Sequence, residues 1–241
     1  MGKGMTTISS TLSKLGQWLY RTSVVYPIAS ILIFLSICLI FGYAEVERTM
    51  LEVQKIFFFH VSAAMTLYVA FFVNFIFSLL YLIKRKPDYD LRAAAAAEIG
   101  LVFCTIVLLS GPIWAKYAWN TWWTWEARLT STLVLWLMYI SYFILRSALL
   151  DDKKRIFSAV IGIIAFLDVP IVHFATKLWE EKSHPKRGAK VDVEPTILHT
   201  WIFVLIAFII LFAVLFFLQY KISKTNERYD IIRRKYLEET S

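Results

Sequence analysis

The sequence predicts an all-α integral membrane bundle of six transmembrane helices, forming one membrane domain over residues 1–241. Three observations carry this. The chain is 59% hydrophobic and only 18% charged, with a mean hydropathy of +0.60, too apolar for a soluble domain. Six apolar runs each reach the roughly 20 helical residues that cross a bilayer core of about 30 Å. Lysine and arginine collect in alternate connections between those runs, the pattern of a topology signal.

The first run, 24–44, follows a polar-to-mixed stretch that lacks the pattern of a cleavable signal peptide. The second, 56–83, is longer than a bilayer needs and predicts tilt or extension beyond it. The third, 93–115, opens on five alanines followed by Glu98; small side chains let helices approach closely. The fourth, 128–149, begins at Arg128. The fifth, 156–176, carries Asp168 and Pro170. The proline predicts a kink and a freed carbonyl near His173. The sixth, 197–220, runs into a tail of mixed charge, 221–241, read as a helix end. Cys38 and Cys104 lie far apart inside apolar runs and read as buried structural thiols.

Of the 26 basic residues, 17 fall in the N-terminus, 84–92, 146–155 and the tail. The other nine fall on the opposite side, eight in the alternate connections and Arg128 at the start of the fourth run. The positive-inside rule then puts both termini in the cytoplasm and turns 45–55, 116–127 and 177–196 outward. The net charge of +8 is therefore a topology signal. It belongs to no soluble basic domain, and nucleic-acid binding is not expected.

Residues 119–131 read Trp-Asn-Thr-Trp-Trp-Thr-Trp-Glu-Ala-Arg-Leu-Thr-Ser, with four of the nine tryptophans in seven positions. On a helix Trp119, Trp122 and Trp123 would share one face, with Trp125 beside it. That predicts an outward aromatic platform ending in Glu126 and Arg128. Interfacial belts also use tryptophan, but they spread it over both interfaces. All four histidines, His60, His173, His184 and His199, lie at or near the same outward side. An ionisable side chain inside a span is costly, and so is a functional candidate. His60 sits about 6 Å inside its span, counted at about 1.5 Å per residue, behind Phe57, Phe58 and Phe59. Neutral imidazoles ligate metals, and two facing ones hold a metal along one axis. Spacing alone does not choose among His173, His184 and His199 as the partner of His60. Arg128 suits a carboxylate, bound bidentately; snorkelling to the interface is its structural alternative. A wide apolar disc with a central metal and acidic edges matches these parts, and heme is such a disc.

The tryptophan segment resembles the signature of the heme-handling proteins of cytochrome c maturation, and the chain is similar to their short six-span branch. Phe59-His-Val-Ser-Ala-Ala64, Ser110-Gly-Pro-Ile-Trp-Ala-Lys116 and Val169-Pro-Ile-Val-His173 are similar to that branch too, and the likeness covers nearly all of 20–220. The resemblance implies a heme b platform formed by Trp114, Trp119, Trp122, Trp123, Trp125, Glu126 and Arg128. It implies His60 and His184 as axial ligands of the iron, the second because Trp179 and His184-Pro185 match the family's pattern. It further implies a non-enzymatic delivery protein of the bacterial inner membrane that presents heme to a periplasmic heme chaperone. Its partners would be an ABC transporter pair and a small single-span subunit. Asn120 stands where the family usually has Gly, Glu126 where it has Asp, and Ser62 where Pro is common. The spacing from Trp179 to His184 is one residue longer than usual, which keeps His173 as the alternative ligand. The competing reading of the residues is a di-histidine heme subunit of a redox enzyme that passes electrons to quinone. Such a subunit would hold its heme deeper between helices.

Overall fold

The computed structural model describes residues 24–47, 50–149, 151–178 and 194–240. Six helices are long and apolar enough to cross a membrane. Helix α1 is Val24–Gly42, and a 3-10 turn, Leu51–Gln54, leads into α2, Lys55–Lys84. Then follow α3, Pro87–Trp119, and α4, Ala127–Ala148. The fifth apolar run is split into α5, Asp151–Phe166, and α6, Asp168–Leu178. Helix α7 is Pro195–Thr240.

Helix α2 is the hub. It packs against α3, α5 and α7, and its fully buried residues include Ala63, Ala70, Phe71 and Asn74. The alanine run does the work its size suits: Ala93, Ala95, Ala96 and Ala97 are all buried. A Cβ added at Gly100 would come within 2.5 Å of the Phe71 ring, so glycine there lets α3 approach α2. Phe71 stacks on Tyr139 of α4 with centroids 3.7 Å apart. The Tyr139 hydroxyl donates to Asn74 Oδ1 at 3.1 Å, and Asn74 Nδ2 donates to the Ala93 carbonyl at 2.9 Å. One buried amide thus ties three helices where no water competes for its bonds.

Two expectations need revision. The kink in the fifth run falls at Leu167, between α5 and α6, ahead of the turn that holds His173. Pro170 sits in the first turn of α6, where it lacks a donor to Phe166 and its ring crowds that carbonyl. The chain therefore breaks before the proline. Cys38 is exposed on α1 rather than buried, whereas Cys104 is buried. Most of α1 faces outward, so its cysteine meets the surroundings and not the core. The tail is a helix end as expected: α7 carries the sixth run on to Thr240, has 46 residues and is about 69 Å long at 1.5 Å per residue.

The bundle has two unlike ends. At the basic end, Arg146 of α4 grips Asp90 of α3 bidentately at 2.6 and 3.0 Å. Arg155 of α5 donates to Glu227 of α7 at 2.5 Å. Asp88 accepts from Arg92, from the Tyr220 hydroxyl and from Lys224 at 2.9, 2.5 and 2.7 Å. Partial burial pushes the Asp88 carboxyl up, but these hydrogen bonds outweigh it and hold it well below the usual carboxylate range. The other end carries His60, His173, Trp114, Trp122, Trp123 and Trp125.

Candidate functional site

The tryptophan segment is helical only at its ends, Trp119 and 127–131. Helix α3 ends at Trp119 because Asn120 adopts the left-handed conformation, φ 55° and ψ 28°. Asparagine is, after glycine, the residue that tolerates this turn best. Lys116 Nζ donates to Asn120 Oδ1 at 2.8 Å and braces it. Residues 120–126 then cross from α3 to α4 without regular structure. The shared helical face expected for Trp119, Trp122 and Trp123 is therefore wrong: residues 120–126 lack the helical repeat that would align them. Trp122 and Trp125 are exposed, at 59% and 76%, while Trp123 turns inward. Trp123 still touches Trp125 edge to face, with centroids 5.7 Å apart. Glu126 is the N-cap residue of α4, with extended backbone and no capping bond from its side chain.

Beneath this segment lies a cavity of about 390 Å³ with mostly apolar walls, within the range of small-molecule pockets, about 300–1,000 Å³. Its walls come from α2, α3, α4, α6 and α7. His60, Trp114, Trp123 and Arg128 all line it, so four residues picked from distant parts of the sequence meet in one place. His173 lines it as well, set edge to face with Tyr68 at 5.7 Å between centroids. Trp122, Trp125 and Glu126 do not line it. His199 is exposed on α7, away from the cavity. His184, Trp179 and the side chain of Trp119 lie outside the described residues.

His60 is held on two sides. Its Nδ1 is 2.9 Å from Ser110 Oγ, and its ring meets Trp114 edge to face with centroids 5.5 Å apart. Trp114 in turn packs edge to face against Phe57 at 6.2 Å, and Phe57 also meets Trp201 of α7 at 6.3 Å. The indole N–H groups of Trp123 and Trp201 are buried and have no hydrogen-bond partner among the described residues. Buried donors without acceptors are costly, and both residues line the cavity. A ligand with acceptor groups would satisfy them.

The sequence placed Phe57 beside His60 and carried Ser110 only within a segment of family likeness; Tyr68 and Trp201 it left unmarked. Helical phase was the usable signal. Phe57, His60, Val61, Ala64, Met65 and Tyr68 share one face of α2 in steps of three and four, and all line the cavity. No comparable rule picks Trp201, which reaches the cavity only because α7 packs against α2 and α3.

Apart from the iron ligand set, the donors present suit a flat apolar disc with acidic edges: imidazole, guanidinium and indole N–H groups around an apolar slot. Among the described residues no cluster of three or more His, Cys, Asp or Glu residues could hold a bare metal ion.

Comparison with known proteins is consistent in direction. The model of one family, described as heme exporter protein C, matches residues 7–239. Heme exporter protein C of Bradyrhizobium diazoefficiens is 35% identical over 166 residues, 67% of this chain and 63% of that protein. The protein of that name from Paracoccus denitrificans is 34% identical over 142 residues, 58% of each chain. That from Escherichia coli is 32% identical over 161 residues, 64% of each. The chain thus spans between 58% and 64% of the length of these curated relatives.

Proposed function

The chain belongs to the heme exporter protein C family, and from that premise we propose that it binds heme at its tryptophan end and presents it to a periplasmic heme chaperone for c-type cytochrome biogenesis. Heme is cargo here, held without covalent attachment as heme b. The observation that carries this reading is the single cavity that joins His60, Trp114, Trp123 and Arg128 beneath two exposed tryptophans.

Each part has a task. The apolar walls take the macrocycle out of water. His60 offers an imidazole nitrogen to the iron. Arg128 and the Trp123 and Trp201 indoles face the acidic edge, where charge-assisted bonds orient it. Trp122 and Trp125 extend the aromatic surface outward, where a second protein can reach the bound disc. A site at one end of the bundle, covered by an irregular segment, suits loading and release better than permanent electron transfer. We therefore read the protein as a delivery protein and not as an enzyme.

The second axial ligand in this reading is His184, on the family pattern of Trp179 and His184-Pro185. A second reading assigns it to His173, and one observation favours that: His173 lines the same cavity as His60. The distribution of basic residues supports a multi-pass protein of the bacterial inner membrane with both termini cytoplasmic. The tryptophan end would then be periplasmic, and the α7 extension would reach the cytoplasm. Its partners in the membrane would be the ABC transporter subunits of the cytochrome c maturation system and the small single-span subunit.

The test is spectroscopic. Protein purified from heme-replete cells is expected to show a Soret band that His60→Ala abolishes. Loss of the band in His184→Ala but not in His173→Ala supports the family assignment; the reverse result moves the second ligand to His173. A wild type without heme sinks the reading. Mixing with apo-chaperone is expected to drain the heme; heme that stays and cycles with quinone points to a redox subunit instead.

A further inference from the structure

We infer that Ser110 is a positioning residue that sets the tautomer of His60, and so decides which imidazole nitrogen meets the iron. This rests on the heme reading above. The Ser110 hydroxyl has one hydrogen. It donates to the Ile106 carbonyl one turn back on α3 at 2.7 Å, with a longer branch to the Val107 carbonyl at 3.5 Å. Such back-bonding satisfies a hydroxyl inside an apolar helix, where no water is at hand. With its hydrogen committed, the oxygen has only lone pairs to offer. His60 Nδ1, 2.9 Å away, must then be the donor, so the neutral ring carries its proton on Nδ1 and its lone pair on Nε2.

The same chain of bonds has an electronic effect. An acceptor on Nδ1–H makes the opposite nitrogen a stronger base, and fixes ring rotation as well. The Trp114 ring at 5.5 Å limits the ring's remaining freedom. Gly111 stands beside it, since a Cβ there would lie 3.4 Å from His60 Cε1. Ser110 and Gly111 thus form a seat for the imidazole on α3, opposite the helix that carries it. The sequence hides this link, because fifty positions separate His60 from Ser110.

The test titrates ferric heme into detergent-solubilised wild type, Ser110→Ala, Ser110→Thr and His60→Ala, reading affinity from the Soret band and the midpoint potential by redox titration. Ser110→Ala is expected to weaken heme binding by about tenfold or more, the usual cost of removing an outer partner of a ligating histidine. Its potential is expected to rise, because a less basic imidazole stabilises the ferric form less. Ser110→Thr keeps the hydroxyl and is expected to restore both. A purely structural serine would give neither the potential shift nor the rescue. Ser110→Ala with wild-type affinity and potential, alongside a His60→Ala that has lost its band, overturns the role of Ser110 alone. A His60→Ala that keeps the full band overturns the ligand assignment itself, and the role of Ser110 with it.

Discussion

At Asn120 the backbone is left-handed, a conformation that costs an ordinary L-residue about 1–2 kcal/mol. Glycine, the usual residue of the family at this position, adopts it freely, and asparagine comes next. The departure therefore leaves the turn intact. Asn120→Gly is expected to keep stability and heme content, while Asn120→Val should lose about 1–2 kcal/mol in detergent unfolding and displace Trp123. Glu126 is a different case. It fills the N-cap position of α4 without a capping bond from its side chain, whereas aspartate is among the strongest N-caps. Glu126→Asp is expected to raise unfolding stability by about 0.5–1 kcal/mol; a loss of stability would show that the longer side chain is needed for another contact. Ser62 sits fully buried within the unbroken helix α2. A proline there would remove one ladder bond and bend the helix below His60.

Between elements, α2 and α3 form a close pair whose contact depends on what is missing at Gly100. The Phe71 ring cannot yield to an added methyl without leaving its stack on Tyr139. Gly100→Ala is therefore expected to cost about 1–3 kcal/mol, the range for overpacked cores, read by thermal unfolding in detergent. A cost below that range would mean that α3 slides to make room. Removal of the Asn74 side chain in Asn74→Leu leaves the Tyr139 hydroxyl and the Ala93 carbonyl without their partner. Neither lines the cavity, so stability should fall while the Soret position stays unchanged. Alanine patterning made the first of these contacts legible. The role of Asn74 was not legible, because its partners lie on other helices.

Across the whole molecule, the two ends are built on different physics. One holds an apolar slot with few polar groups; the other is clamped by ion pairs among α3, α4, α5 and α7. The clamp includes Asp88 and Lys224. The hydrogen bonds that Lys224 donates to Asp88 and Tyr220 raise its ammonium, against a weaker lowering by burial. A carboxylate held below its ordinary 3.8 contributes fully above that value and is lost as pH falls through the depressed one. A lysine held above its ordinary 10.5 contributes fully below that value and is lost as pH rises past the raised one. The clamp should thus be flat from about pH 5 to about pH 9. Limited proteolysis of the α7 extension is the readout: constant cleavage across that window, and faster cleavage in Lys224→Met or in about 1 M salt, which screens exposed pairs. A change in cleavage within the window would place another titrating group in control.

The sequence by itself determined the class of fold and its six helices long and apolar enough to span a membrane, and it singled out His60, Trp114, Trp123 and Arg128, which line one cavity. Those follow from local properties: run length, charge placement, and the clustering of tryptophan and histidine. Three things were decided only by tertiary structure. Trp123 points in while Trp122 and Trp125 point out, because one left-handed residue ends α3 and replaces helical phase with an irregular crossing. His173 joins His60 at one cavity because α6 restarts after the break at Leu167 and packs against α4. Ser110 meets His60 because α2 and α3 lie close along their length. In each case the partner is distant along the chain, and only the packed helices bring the two side chains within reach.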